Sequence, residues 1–241
     1  MSEGGTQGGP AVLFATTNPG KLRELRRMVA GLGLRVLGPG DLAAPLPEVV
    51  EDGATFTENA RKKAVAWAAW SGLPTLADDS GLCVEALGGA PGVHSARWSE
   101  LDPAPGPASP VCELAQGAAP ELGPEAGRGI RDERNNDKLL RALEGVPDAS
   151  RGAEYQAVLC LARPDGSVLA SVTGRCPGRI GHVRRGRGGF GYDPLFLVAF
   201  GRGEAERTMA ELDAEEKDAL SHRGEAFRRL LPVLAGLARS P

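Results

Sequence analysis

Two short runs place groups suited to phosphate chemistry at the joints between predicted elements. The first, Thr16-Thr17-Asn18-Pro19-Gly20-Lys21, follows the apolar residues 11–16 and precedes Leu22, Leu25, Met28, Val29 and Leu32 at helical spacing, with Gly31 and Gly33 closing the helix. Asn18 suits an N-cap and Pro19 the first helical position. The joint therefore offers free helix-end N–H groups and a positive dipole end, which attract an anion. Gly20 would let an anion approach the backbone, and Lys21 adds a point charge. The P-loop pattern of two spaced glycines followed by Lys-Ser/Thr is absent. Taken alone, the run reads equally well as an ordinary capped helix. The second run, Ala77-Asp78-Asp79-Ser80-Gly81, reads as the end of a short strand carrying two carboxylates. Alternation puts one on each side of the chain, so one can face a cleft while the other is tied into structure. Hard oxygen ligands suit Mg2+, which takes one or two carboxylates beside substrate phosphates, and the pair Glu51-Asp52 offers a further ligand. By itself, Asp79-Ser80-Gly81 reads more readily as a turn and helix cap.

Two later runs carry groups suited to a flat, polar ligand. In Gly189–Phe196 (GFGYDPLF), glycines flank Phe190 on both sides, which suits a ring that stacks on a ligand. Asp193 could accept hydrogen bonds from ring N–H groups. The competing reading is an aromatic hairpin corner packed on a sheet. In residues 216–227 (EKDALSHRGEAF), Ser221 is a candidate cap that leaves His222 and Arg223 in the first turn of a helix, with Lys217 just ahead. Cations are unfavourable at a helix N-terminus, so something anionic or electron-rich should compensate them. A solvated basic turn is the plainer alternative. The chain has only five lysines against 23 arginines, and Lys21, Lys63 and Lys217 fall in or beside these runs. Lys63 lies one helical turn after Asn59, so the two share a face.

The elements that must hold these groups belong to an ordinary globular chain of 241 residues, 41% hydrophobic and 24% charged, with a net charge of −3. That charge does not favour a general polyanion binder. The four cysteines form no metal-ligand spacing and fit a reducing cytoplasm, and no apolar run is long enough to span a membrane. Residues 1–10 are Gly-rich and polar and read as a flexible tail. Thr55-x-x-Glu58 is a capping box that opens a helix ending near Ser71, before Gly72 and Pro74. Residues from about 99 to 131 hold six prolines and five glycines with no aromatic and no lysine, and read as a surface insertion or disordered loop. The fold should resume at Arg134 with a helix. Runs at 153–163 and 167–175 form a hairpin about Pro164-Asp165-Gly166. A last helix from Ser221 should be kinked or cut short by Pro232.

In order, TTNPGK, GATFTENARKKA, ADDSGL, LGGAPGVHSAR, GFGYDPLF and EKDALSHRGEA resemble the inosine triphosphate pyrophosphatase family, over about residues 11–238. The resemblance implies an α/β fold, elongated and two-lobed around a long central mixed β-sheet, with the active site in the cleft between lobes. It implies a single domain over 11–238, broken by the insertion. It also implies a Mg2+-dependent homodimer that splits ITP, dITP and XTP into the monophosphate and pyrophosphate. The phosphate loop falls on Thr16, Thr17, Asn18, Pro19, Gly20 and Lys21. The catalytic, metal-binding carboxylate falls on Asp79, with Ser80 contacting substrate. Glu51 matches a metal-side acid and Lys63 a phosphate-side lysine. The base pocket falls on Phe190, Gly191, Tyr192 and Asp193, then Lys217, His222 and Arg223. His94 stands where the family commonly has an aromatic and receives no role. Neither nucleic acid nor membrane is an expected partner.

Three other readings compete with this one. A sensor would keep the loop and base pocket without needing Asp79 and Glu51. A nucleic-acid binder would use Arg175, Arg179, His182, Arg184, Arg185 and Arg187, a modest footprint on an acidic chain. A related pyrophosphatase would act on modified pyrimidines.

Overall fold

The computed structural model describes residues 9–42, 45–101, 124–198 and 205–239. Residues 1–8 of the expected tail at 1–10, and the middle of the Pro-rich stretch, 102–123, lie outside the described residues. Seven strands are hydrogen-bonded in the order β2-β1-β3-β4-β5-β6-β7. They are β1 (Ala11–Ala15), β2 (Arg35–Leu37), β3 (Thr75–Val84), β4 (Gly152–Ala162), β5 (Val168–Ile180), β6 (Phe196–Val198) and β7 (Arg207–Thr208). β1 runs parallel to β2 and β3, and β6 antiparallel to β5 and β7. The sheet is thus mixed and open, and the fold is α/β, as expected. The chain divides into two compact units, residues 1–80, 155–176 and 213–241 in the first and 81–154 and 177–212 in the second.

In the first unit, parallel pairing demands crossovers, and helices supply them. Helix α1 (Pro19–Met28) links β1 to β2, and α2 (Phe56–Ser71) precedes β3. The helix starts are those the sequence specifies. Asn18 caps α1 by accepting from the amides of Gly20 (2.9 Å) and Lys21 (3.4 Å), and Thr55 caps α2 by accepting from the Glu58 amide (3.1 Å). α2 stops at Gly72, which takes the left-handed conformation at φ 68°. Val12, Phe14, Leu25, Leu76, Leu159 and Leu161 form a core with Ala226, Phe227, Leu230 and Leu234 of α5 (His222–Ala238). α5 is not cut short at Pro232 but continues to Ala238. Pro232 lies on the exposed side, where the carbonyl that loses its amide partner can turn to water.

Close approach of α5 to β5 depends on Gly174. A Cβ there would lie 2.0 Å from the His222 carbonyl oxygen and 2.4 Å from the Ala226 nitrogen. Both are backbone atoms that cannot rotate away. Gly174→Ala is therefore expected to cost about 1–3 kcal/mol of stability through overpacking. Urea unfolding checks this, and an unchanged midpoint would contradict the packing described.

The second unit corrects three expectations. β3 does not end at the carboxylates but continues to Val84. Gly81 permits this, since a Cβ would fall 2.3 Å from Ser95 Oγ and 2.5 Å from the Gly92 carbonyl, in the 3-10 segment Gly92–Leu101. Ser95 Oγ then accepts from the Leu82 amide at 2.9 Å. Second, α3 spans Pro124–Ala142 and so starts ten residues before Arg134, inside the stretch read as an insertion. The 3-10 segment takes residues 99–101 from the other end of that stretch. Asn135 joins the two, accepting from the Ser99 amide (2.8 Å) and donating to the Ser95 carbonyl (3.2 Å). Third, β5 runs five residues past its expected end, to Ile180. The buried Arg151 guanidinium donates there to the carbonyls of Ile180 (2.8 Å) and Gly181 (3.0 Å), and to Leu143 at the end of α3 (2.8 Å).

Candidate active site

The first unit gathers Lys21, Lys63 and Ser80, expected on the phosphate side, around the β3 carboxylates. Asp78 is the buried hub. Its Oδ1 receives Lys21 Nζ at 2.5 Å and Ser80 Oγ at 3.0 Å, and its Oδ2 faces Arg223 Nε at 3.2 Å. Burial alone would push this carboxyl up, but Lys21 and Arg223 outweigh it and hold Asp78 well below the usual carboxylate range. Lys21 also donates to Ser80 Oγ at 3.1 Å. One correction concerns the loop itself. The Gly20 and Lys21 amides are turned onto Asn18 Oδ1, and the Asn18 amide onto Thr16 Oγ1 at 3.1 Å, so the helix end is not an open set of N–H groups. The positive character of this corner rests on the cations Lys21 and Lys63 and on the helix dipole.

Asp79, on the opposite side of β3, has the opposite electrostatics. Burial pushes its carboxyl up to about 6, although Lys63, Lys21 and a hydrogen bond from Asn59 pull it down. Its Oδ1 accepts from the Ser80 amide at 3.1 Å, while its Oδ2 is buried with no hydrogen-bond partner. Lys63 Nζ bridges the Asp78 carbonyl (3.1 Å) and Glu51 Oε2 (2.9 Å). Asn59 Oδ1 accepts from the Gly53 amide at 2.7 Å, which ties the segment bearing Glu51 to α2. Among the described residues no group of three His, Cys, Asp or Glu could hold a metal ion. The unpartnered Asp79 oxygen is a hard ligand of the type Mg2+ takes, since that ion needs few protein carboxylates and completes its shell with water and substrate oxygens.

The same unit places Lys217, His222 and Arg223. Lys217 lies on α4 (Ala214–Leu220), while His222 and Arg223 open α5 behind the Ser221 cap. Glu24 of α1 compensates both cations: Lys217 Nζ lies 3.3 Å from its Oε1, and Arg223 pairs with its Oε2. His222 is buried and stacked on Tyr155, with centroids 4.8 Å apart and planes 12° from parallel. Burial and then the adjacent Arg223 charge hold it well below the ordinary imidazole value, so it is neutral at pH 7 and does not oppose the helix dipole. Its Nδ1 is buried without a hydrogen-bond partner.

Residues Phe190–Asp193 belong to the second unit. Gly189 and Gly191 take positive φ, 75° and 64°, around a half-buried Phe190. Asp193 Oδ2 accepts from the Phe190 amide at 3.0 Å and occupies the space a Cβ on Gly189 would need. Asp193 is thus engaged by the loop's own backbone. Tyr192 is buried and donates from its hydroxyl to the Ser95 carbonyl at 3.0 Å, anchoring the loop. Two residues of α3 hold Gly191: Asp132 Oδ2 accepts from its amide at 2.8 Å, and Asn136 Nδ2 donates to its carbonyl at 2.9 Å.

Sequence reasoning missed Glu24, Asp132 and Asn136. Glu24 had a detectable signal, a carboxylate one turn after Lys21 and adjacent to the apolar Leu25. The Asn135-Asn136 pair was also detectable, since asparagine is a poor helix former in a helix interior.

The open mixed sheet with its helices is an α/β architecture already seen in solved structures. A HAM1 protein from Coxiella burnetii superposes with a TM-score of 0.70 at 35% identity, covering 94% of this chain and 99% of that one. A nucleoside-triphosphatase / dITP/XTP pyrophosphatase from Mycobacterium abscessus does so with a TM-score of 0.63 at 39% identity, over 92% and 99%. The chain belongs to the Ham1 family, whose model matches residues 12–119 and 115–233. Relatives described as dITP/XTP pyrophosphatase include one from Anaeromyxobacter dehalogenans (strain 2CP-C), 73% identical over 95% of this chain and 98% of its own. Another, from Streptomyces avermitilis, is 44% identical over 94% and 98%. The resemblance carried by the six sequence blocks is borne out.

Proposed function

We propose that the protein hydrolyses non-canonical purine nucleoside triphosphates, ITP, dITP and XTP, to the monophosphate and pyrophosphate, keeping deaminated purines out of DNA and RNA. The observation that carries this reading is Asp79, a buried carboxyl raised to about 6 with an unpartnered oxygen, set in a corner that Lys21 and Lys63 make positive. The family relatives described as dITP/XTP pyrophosphatase support the substrate class. The family resemblance supports a homodimer, and the cysteine usage fits a reducing cytoplasm. Among the described residues no helix is long and apolar enough to cross a membrane.

In this mechanism Asp79 and Glu51 would hold Mg2+. When bound, the ion supplies charge neutralisation and a water of lowered pKa. Asp79 would orient the attacking water toward the α-phosphorus and accept its proton. Lys21 and Lys63 stabilise the departing pyrophosphate, with the Thr16–Lys21 turn and Ser80 lining the phosphate side. Phe190 stacks on the base, within a loop shaped by Gly191, Tyr192 and Asp193. Lys217 and Arg223, held by Glu24, are the donors for the 6-oxo group of hypoxanthine and xanthine, and His222 packs beside them. An adenine amino group would face those donors unpaired, a costly mismatch.

A nucleic-acid role is less well supported, because four of its six basic residues face carboxylates. Arg179 pairs with Glu206, His182 with Asp148, Arg184 with Asp137 and Arg185 with Glu211. Pyrophosphate release from dITP, XTP, dATP, dGTP and a modified dTTP at equal concentration tests the proposal. Fast turnover of dITP and XTP and rejection of dATP are expected from these donors, while dGTP, which shares the 6-oxo group, reads selectivity at the 2-amino position. Binding of dITP without turnover would favour a sensor, and preference for modified dTTP would favour pyrimidine cleansing.

A further inference from the structure

The Phe190 loop is shaped from outside itself, by helix α3. Asp132 and Asn136 are one turn apart and therefore share a helix face. Between them they engage both polar groups of one peptide residue: Asp132 Oδ2 takes the Gly191 N–H (2.8 Å), and Asn136 Nδ2 binds the Gly191 C=O (2.9 Å). Gly191 is the residue after Phe190 and sits at φ 64°, a conformation that side-chain-bearing residues rarely adopt. The clamp therefore fixes the backbone turn that aims the Phe190 ring.

The chemistry of the clamp argues for more than packing. Asn136 is 1% exposed, and its Oδ1 is buried with no hydrogen-bond partner. An apolar side chain would avoid that cost. What the amide gains is the bond to Gly191. Asp132 is likewise a carboxyl raised by burial, and the Gly191 amide is the first group offsetting that cost. The next residue, Tyr192, is anchored independently through its hydroxyl, so the loop is pinned on one side of Phe190 by α3 and by the 3-10 segment. We infer that Asp132 and Asn136 are positioning residues for base recognition, holding Gly191 so that the Phe190 ring presents a fixed stacking platform.

This inference rests on the reading of Phe190 as the base platform. Stacking on a preset ring binds ground state and transition state alike, so loss of the clamp should appear in KM rather than kcat. The test compares Asp132→Ala, Asn136→Ala and Asp132→Asn, the last of which keeps an acceptor oxygen for the Gly191 amide. Steady-state kinetics with dITP and amide hydrogen exchange of residues 188–195 are measured on each, with melting temperature to confirm folding. The two alanine variants should raise KM about tenfold with kcat within about twofold, and speed loop exchange by a similar factor. Asp132→Asn should recover most of both effects. Folded alanine variants with wild-type KM and exchange would overturn the inference, as would Asp132→Asn as damaging as Asp132→Ala. Wild-type protein that does not turn over dITP would instead sink the parent reading. Loop exchange would then still decide the clamp, acceleration supporting it and no change refuting it.

Discussion

Asparagine in place of Asp79 is expected to lower kcat for dITP by about 10²–10⁴-fold, the range for loss of a positioned general base, while KM changes far less. It is also expected to stabilise the metal-free fold. Burial raises the folded Asp79 carboxyl from 3.8 to about 6. A group that holds its proton more tightly when folded favours the fold fully below its unfolded value, and that contribution is lost as pH rises through about 6. At pH 7 the ionised carboxylate therefore opposes folding by on the order of 2–3 kcal/mol, a cost the amide does not carry. Melting curves should show the variant more stable than wild type at pH 7 and level with it near pH 4. Higher stability with lost turnover is the signature of a strained functional group. Near wild-type hydrolysis of dITP by this variant would show that another residue is the base.

The same substitution one residue earlier should do the reverse. Asp78 is buried among Lys21, Arg223 and Ser80, and Asp78→Asn leaves two largely buried cations without their shared counter-charge. Breaking such a pair from one side costs about 3–5 kcal/mol, which urea unfolding at pH 7 will read directly. The wild-type protein carries the matching acid signature. The Asp78 carboxyl is held below its ordinary value, against its burial, by Lys21 and Arg223, so its stabilisation is present above about pH 4 and is lost as pH falls further. The variant should lack that part of the acid limb. An Asp78→Asn protein that unfolds at the wild-type urea midpoint would contradict the hub assigned to this residue.

This contrast shows where the sequence was legible. Alternation along a strand predicts that one of two adjacent carboxylates is tied in and the other is available, but not which cations reach each. Asn18, Pro19, Thr55, Gly72 and Ser221 announce helix ends through short-range capping chemistry, and the structure follows them. Effects that depend on distant partners were not legible. β3 passes through its carboxylates because Gly81 admits Ser95 from a later segment. Pro232 is tolerated because of the side of α5 it occupies. The anionic compensation sought for Arg223 is Glu24, which lies 199 positions away in the chain. Asp132 and Asn136 act through a glycine whose need for them is visible only once α3 is placed.

The measurement that bears most directly on the central claim is hydrolysis of dITP with Mg2+ in water enriched in heavy oxygen, with the products separated and weighed by mass spectrometry. The account predicts dIMP carrying one solvent oxygen and unlabelled pyrophosphate, because water activated at Asp79 attacks the α-phosphorus. Label in the pyrophosphate, or release of orthophosphate with dIDP, would contradict it.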